Sequence, residues 1–132
     1  MLPTAKPPDF ARKIAVVELE LKTLEAFTLR SVVALSRGGD LAGQAPGAEA
    51  NIFKIRNTEI QQRLTKLKMQ AVSNYAQPYL YAALTQGWNE PPIGSEYANG
   101  CKPNYMHFRK VSIYSGSNEI QHNIIAKVEL GL

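Results

Sequence analysis

Few residues in this chain are spaced for chemistry. His107 and His122 stand fifteen residues apart with no Cys or His partner at ligand spacing, and the single cysteine, Cys101, has no CxxC mate. Their pattern is that of exposed or hydrogen-bonded side chains, and no metal site is expected. GxGxxG, GxxxxGKS/T and GxSxG are all absent, and no spacing supports a Ser/His/Asp triad. Arg63, Lys66 and Lys68 make a basic patch beside Leu64, Leu67 and Met69, which reads as a solvated helix face. The distinctive stretch is Tyr114-Ser-Gly-Ser-Asn-Glu-Ile-Gln-His-Asn-Ile-Ile-Ala-Lys-Val-Glu-Leu-Gly-Leu132. Ser115-Gly116-Ser117 is a small-residue turn feeding a helix N-terminus. Free N–H groups and the helix dipole there suit an anionic or carbonyl oxygen. An ordinary capped turn between helices has the same features.

The elements that must position this turn are helical. Three prolines within residues 1–8 mark a tail, and Asp9 is a candidate N-cap. From Phe10 to about Leu35 there is no Gly or Pro. Phe10, Ile14, Val17, Leu21 and Leu24 recur on one helical face, with Glu18 and Lys22 paired outside. Gly38-Gly39 ends this helix, and residues 38–47 form a loop. A second helix spans Ala48 to Gln77, with Phe53, Ile60, Leu64, Leu67 and Ala71 on its stripe, Glu49 in its first turn and Pro78 beyond its end. Two long helices joined by a ten-residue loop predict an antiparallel pair.

Residues 78–103 are punctuated by Gly and Pro, with Tyr79, Tyr81, Trp88 and Tyr97 between them. A short helix over Leu80–Leu84 and an ordered loop held by aromatic burial are expected. A third helix covers Asn104 to about Tyr114. In the last, Ser117 is the cap, Asn118 and Glu119 lie in the first turn, Ile120, Ile124 and Val128 form the stripe, and Gly131 ends it. The fold class is all-α, with no strand and no repeat.

The 132 residues amount to about one domain at roughly 150 residues each. An apolar fraction of 45% and a charged fraction of 20% exclude wholesale disorder. The net charge of +4 lacks the dense clustering of a strong nucleic-acid binder. No apolar run approaches the ~18 residues of a membrane span, and the N-terminus has no signal-peptide core. A cytoplasmic location is expected from the lone cysteine.

The C-terminal nineteen residues resemble the signature of the acyl-CoA dehydrogenases. Pro46-Gly-Ala-Glu-Ala-Asn-Ile-Phe-Lys-Ile-Arg-Asn-Thr-Glu-Ile-Gln-Gln62 is similar to that family's second long helix. Asn89-Glu-Pro-Pro-Ile-Gly94 and Arg109-Lys-Val-Ser-Ile-Tyr114 are similar to one bacterial branch, which includes large subunits of the pimeloyl-CoA dehydrogenase type. The resemblance runs from about Phe10 to the C-terminus. It implies an antiparallel helical bundle, the last of three domains of an FAD-dependent flavoenzyme. Residues 1–8 are then a tail and residues 9–132 the bundle domain. The family's first bundle helix, N-terminal helices and middle β-domain have no counterpart in these residues.

In that family a carboxylate removes an α-proton from an acyl-CoA thioester, and the β-hydrogen passes to the flavin as hydride. In one type the base lies between the Tyr and Gly of the signature, which is Ser115 here. A serine hydroxyl without an activating partner is not expected to serve as that base. Its backbone N–H could still polarise the thioester carbonyl, and Gly116 would admit the acyl chain. Ser117 and Glu119 match positions that contact FAD. Glu119 also complements the helix dipole. Arg109 is expected to be structural or to form an interdomain ion pair. The family's Gln-x-x-Gly-Gly motif is replaced by Leu84-Thr-Gln-Gly-Trp-Asn-Glu-Pro-Pro-Ile-Gly94, so no adenine-side contacts are assigned.

The resemblance implies an oxidoreductase of fatty acid metabolism, inactive as this chain alone and binding no FAD by itself. Acyl-CoA is the substrate of the full-length family, and neither nucleic acid nor membrane is a partner. The unmatched apolar stripes predict a homo-oligomer, most simply a dimer through Phe10–Leu35. The alternatives are a non-catalytic subunit or helical interaction module and, from the charge alone, a helical nucleic-acid binder.

Overall fold

The computed structural model describes residues 8–36, 48–78, 82–85, 88–91 and 93–131, and these contain helices and turns but no strand. The four α-helices are α1 (Pro8–Ser36), α2 (Ala48–Val72), α3 (Cys101–His107) and α4 (Asn118–Leu130). Gly38-Gly39, the 38–47 loop, Tyr79, Tyr81 and the start of the expected Leu80–Leu84 helix lie outside the described residues. The chain divides into two compact units, one of residues 1–60 and 112–132, the other of residues 61–111.

In the first unit, α1 begins at Pro8, one residue into the expected tail. A first-turn proline loses nothing, because its missing N–H has no acceptor within the helix. Asp9 therefore stands in the first turn, 3.7 Å from Arg12, instead of capping the helix. The Glu18–Lys22 pair forms as read, at 3.2 Å. Val17 and Leu24 are buried, but Ile14 and Leu21 of the same stripe are 37% and 49% exposed. Thr23 and Thr28 sit within the helix by donating to the carbonyls of Leu19 and Leu24. Ser31 Oγ lies 2.9 Å from Glu49 Oε2, joining late α1 to the first turn of α2.

Over its first half, α2 buries Ala48, Ile55, Thr58 and Ile60, while Phe53 is exposed. In α4 the expected stripe is corrected. Ile120, Ile124 and Val128 are exposed, and the buried residue is Gln121. Among the described residues of the unit nothing buries this apolar face, whereas the Gln121 amide turns back into the segment that precedes the helix.

The second unit owns the buried apolar cluster: Val72, Ala76, Ala98 and Cys101, with Met69 against it. Here α2 ends at Val72, five residues short of the expected Gln77. Ser73 turns left-handed (φ +50°), and a 3-10 turn continues over Ser73–Ala76. A further 3-10 turn over Ala82–Leu84 takes the place of the later part of the Leu80–Leu84 helix.

The expected aromatic anchoring does not hold for Tyr97, which is 71% exposed. Its neighbours Ala98 and Cys101 fill the core instead. Gly94 is left-handed (φ +80°), and a Cβ there would lie 2.4 Å from the Tyr75 ring, so the backbone rides directly on that side chain. α3 starts three residues before the expected Asn104. Pro103 fits its first turn, where N–H groups have no helical acceptor. From Phe108 the helix tightens to 3-10 and ends at Ser112, with Val111 almost wholly buried.

A candidate site at the C-terminal signature turn

Ser115, Gly116, Ser117 and Glu119 come together at the start of α4. Two successive residues are left-handed, Ser115 at φ +57° and Gly116 at φ +86°. The second conformation calls for glycine, and a side chain there would also displace the tip of Gln121. A Cβ on Gly116 would lie 2.6 Å from Gln121 Nε2, which donates to the Ser115 carbonyl at 3.5 Å. Gly116 thus admits the Gln121 amide, a local demand independent of any acyl chain.

Ser117 is the N-cap, as expected. Its backbone is extended, and its hydroxyl accepts the Ile120 N–H at 3.4 Å. Glu119 is exposed, and its carboxyl is held below the ordinary value of 4.5. The main cause is its own backbone N–H, followed by the Ser117 hydroxyl, with His122 and Lys54 adding favourable charge and slight desolvation opposing them. At the far end, Gly131 is the left-handed C-cap, and its N–H donates to Lys127 O at 3.2 Å.

Four residues at this turn carry no sequence expectation of a role: Lys54, Thr58, Asn118 and Gln121. Lys54 Nζ donates to Asn118 Oδ1 at 2.7 Å and reaches the Ser112 carbonyl at 3.5 Å. Thr58 Oγ1 donates to Ile55 O at 2.8 Å and accepts from Asn118 Nδ2 at 3.2 Å. The available signal was a lysine and a threonine one turn apart on α2 and an asparagine directly after the Ser117 cap.

Arg109 is half-buried. Within the second unit its guanidinium donates to Tyr105 O, Gln62 O and Thr65 Oγ1 at 3.0–3.1 Å, and it lies 4.3 Å over the Tyr105 ring. His107 packs edge-on against Phe108, and Cys101 donates to Tyr97 O. Among the described residues no three His, Cys, Asp or Glu side chains come close enough to hold a metal, and no helix is long and apolar enough to cross a membrane.

A flavin site needs polar groups left open to receive it. Here the Ser117 hydroxyl is engaged by Ile120 N–H and the Glu119 carboxylate. The space beside Gly116 and the Ser115 carbonyl are both taken by Gln121. These residues do not form a flavin cradle by themselves.

No curated protein and no solved structure matches the chain. A family model described as acyl-CoA dehydrogenase, C-terminal domain, matches residues 3–130. That span takes in all four helices and the signature turn, and the chain belongs to the acyl-CoA dehydrogenase C-terminal domain family.

Proposed function

We propose that the chain serves as the C-terminal domain of an FAD-dependent acyl-CoA dehydrogenase of the pimeloyl-CoA dehydrogenase large-subunit type, acting on CH–CH bonds of acyl-CoA thioesters. The observation that carries this reading is the signature turn itself: consecutive left-handed Ser115 and Gly116 leading into a capped helix. Residues 9–132 are the domain, and its setting is the cytoplasm. In the assembled enzyme the Ser115 N–H polarises the thioester carbonyl, and Gly116 lines the acyl path. Ser117 and Glu119 edge the flavin once their present partners yield. This chain alone is inactive and holds no FAD, because Ser115 offers no carboxylate base and the flavin-side groups are internally satisfied.

The test is an absorption spectrum of the purified chain with and without added FAD, followed by acyl-CoA-driven dye reduction. A colourless, inactive protein is expected. Visible flavin bands, or dye reduction that Ser115→Ala abolishes, would overturn the reading that this chain alone is inactive and flavin-free.

A second reading, an interaction module, draws on the exposed apolar faces of α1 and α4. Burying one Leu is worth ~1.5–3 kcal/mol, so several exposed large residues favour association. The two readings meet in a homo-oligomer, most simply a two-fold dimer with α1 at the interface.

A further inference from the structure

Lys54 stands at both ends of the signature turn. Its ammonium donates to Asn118 Oδ1 at 2.7 Å and approaches the Ser112 carbonyl at 3.5 Å. Ser112 closes the preceding 3-10 segment and Asn118 opens α4, so one cation spans residues 113–117. Thr58, one helical turn beyond Lys54, is buried, donates its hydroxyl to Ile55 O at 2.8 Å and accepts the Asn118 Nδ2–H at 3.2 Å, so the Asn118 amide is held at its oxygen by Lys54 and at its nitrogen by Thr58. An amide gripped at both atoms is fixed in orientation. Inside this bracket lies Ser115, whose left-handed backbone is disfavoured for a residue with a Cβ and persists only where its surroundings hold it. Gln121 holds the Ser115 carbonyl from the α4 side, and Lys54 with Thr58 holds the frame from α2.

We propose that Lys54 is a positioning residue for the signature turn: by tying Ser112 and Asn118 to α2 it fixes the left-handed Ser115–Gly116 backbone and the direction of the Ser115 N–H. The catalytic purpose of that direction rests on the dehydrogenase reading; the bracket does not. An ammonium suits the task, since its three donors can serve two neutral acceptors that lie in different directions.

The experiment is residue-resolved amide hydrogen exchange on the full chain. Lys54→Met keeps the aliphatic stem and removes the donors. Protection of the Ile120 and Gln121 N–H groups is expected to fall about tenfold, with the Ser115 and Gly116 resonances displaced, while the Val72 and Ala76 amides keep their rates. Lys54→Arg should restore protection. In an Asn118→Ala background, Lys54→Met should change it by less than about twofold, because the two act through one contact. Unchanged protection in Lys54→Met, or full additivity with Asn118→Ala, overturns the proposal. Should Lys54→Met not fold, Lys54→Gln is compared in the same way. Ser115 and Gly116 amide resonances that do not move on adding acyl-CoA would count against the dehydrogenase reading and leave these exchange rates as they are, so the two failures are distinguishable.

Discussion

Within residues 61–111, Val72, Ala76, Ala98 and Cys101 close on one another, and Arg109 ties α2 to the segment after α3. Within residues 1–60 and 112–132 the longest helix buries Val17 and Leu24, and α4 buries a glutamine. Ile14, Leu19, Leu21, Val32 and Leu35 of α1, with Ile120, Val128 and Leu130 of α4, remain exposed. The second unit gathers small side chains into one buried cluster. The first buries Val17, Leu24, Ala48, Ile55 and Ile60, and sets polar groups, Lys54, Thr58, Asn118 and Gln121, around one turn. The contrast teaches that apolar spacing marks where a helix can be covered, and that what covers it need not belong to the same chain.

Four measurements would break or sharpen this contrast. The largest effect should come from Leu21→Glu. If α1 forms the dimer interface, a charge there costs about 2–3 kcal/mol of association, on the order of 100-fold in Kd. Sedimentation at micromolar concentration should then shift from dimer to monomer. A stable monomer in the unsubstituted chain would remove the interface altogether. Next, Val111→Ala should cost about 2 kcal/mol in denaturant unfolding, because Val111 is almost wholly enclosed, whereas Val32→Ala should stay within about 0.5 kcal/mol at a concentration where the chain is monomeric. Equal costs would mean that Val32 is covered as Val111 is.

Third, Gly116→Ala should cost about 1–2 kcal/mol, and more than Gly131→Ala. Both glycines are left-handed, but only the first has a neighbour within contact, and the difference isolates Gln121. The smallest effect is that of pH. The folded Glu119 carboxyl titrates below its ordinary value, so its contribution is present above about 4.5 and is lost as pH falls through the folded value. Carboxyl chemical shifts should show that lowered titration, and Ser117→Ala should move it back towards the ordinary range.

Much of the helical framework was legible because it is written in breakers and caps. The Gly- and Pro-free stretches gave α1 and α2, Ser117 gave the cap and Gly131 the end of α4. The end of α2 was not legible, since left-handed Ser73 has no residue-type signature as glycine would. The covered face of α4 was misread for a related reason. Periodicity ranks Ile120 above Gln121, yet burial is decided by a single side-chain amide with a carbonyl to meet. The site residues were visible as a motif, but their support was not. Lys54 and Asn118 stand 64 positions apart, and nothing local to either announces the other.

Arg109 has a consequence in ionic strength. Three of its acceptors, two backbone carbonyls and a hydroxyl, carry no net charge, and the Tyr105 face is another neutral contact. Dissolved ions screen exposed pairs such as Glu18 with Lys22 or Arg56 with Glu59. They have far less to screen where a cation meets dipoles in a half-buried setting. These neutral contacts of Arg109 should therefore survive in brine that dissolves the surface pairs.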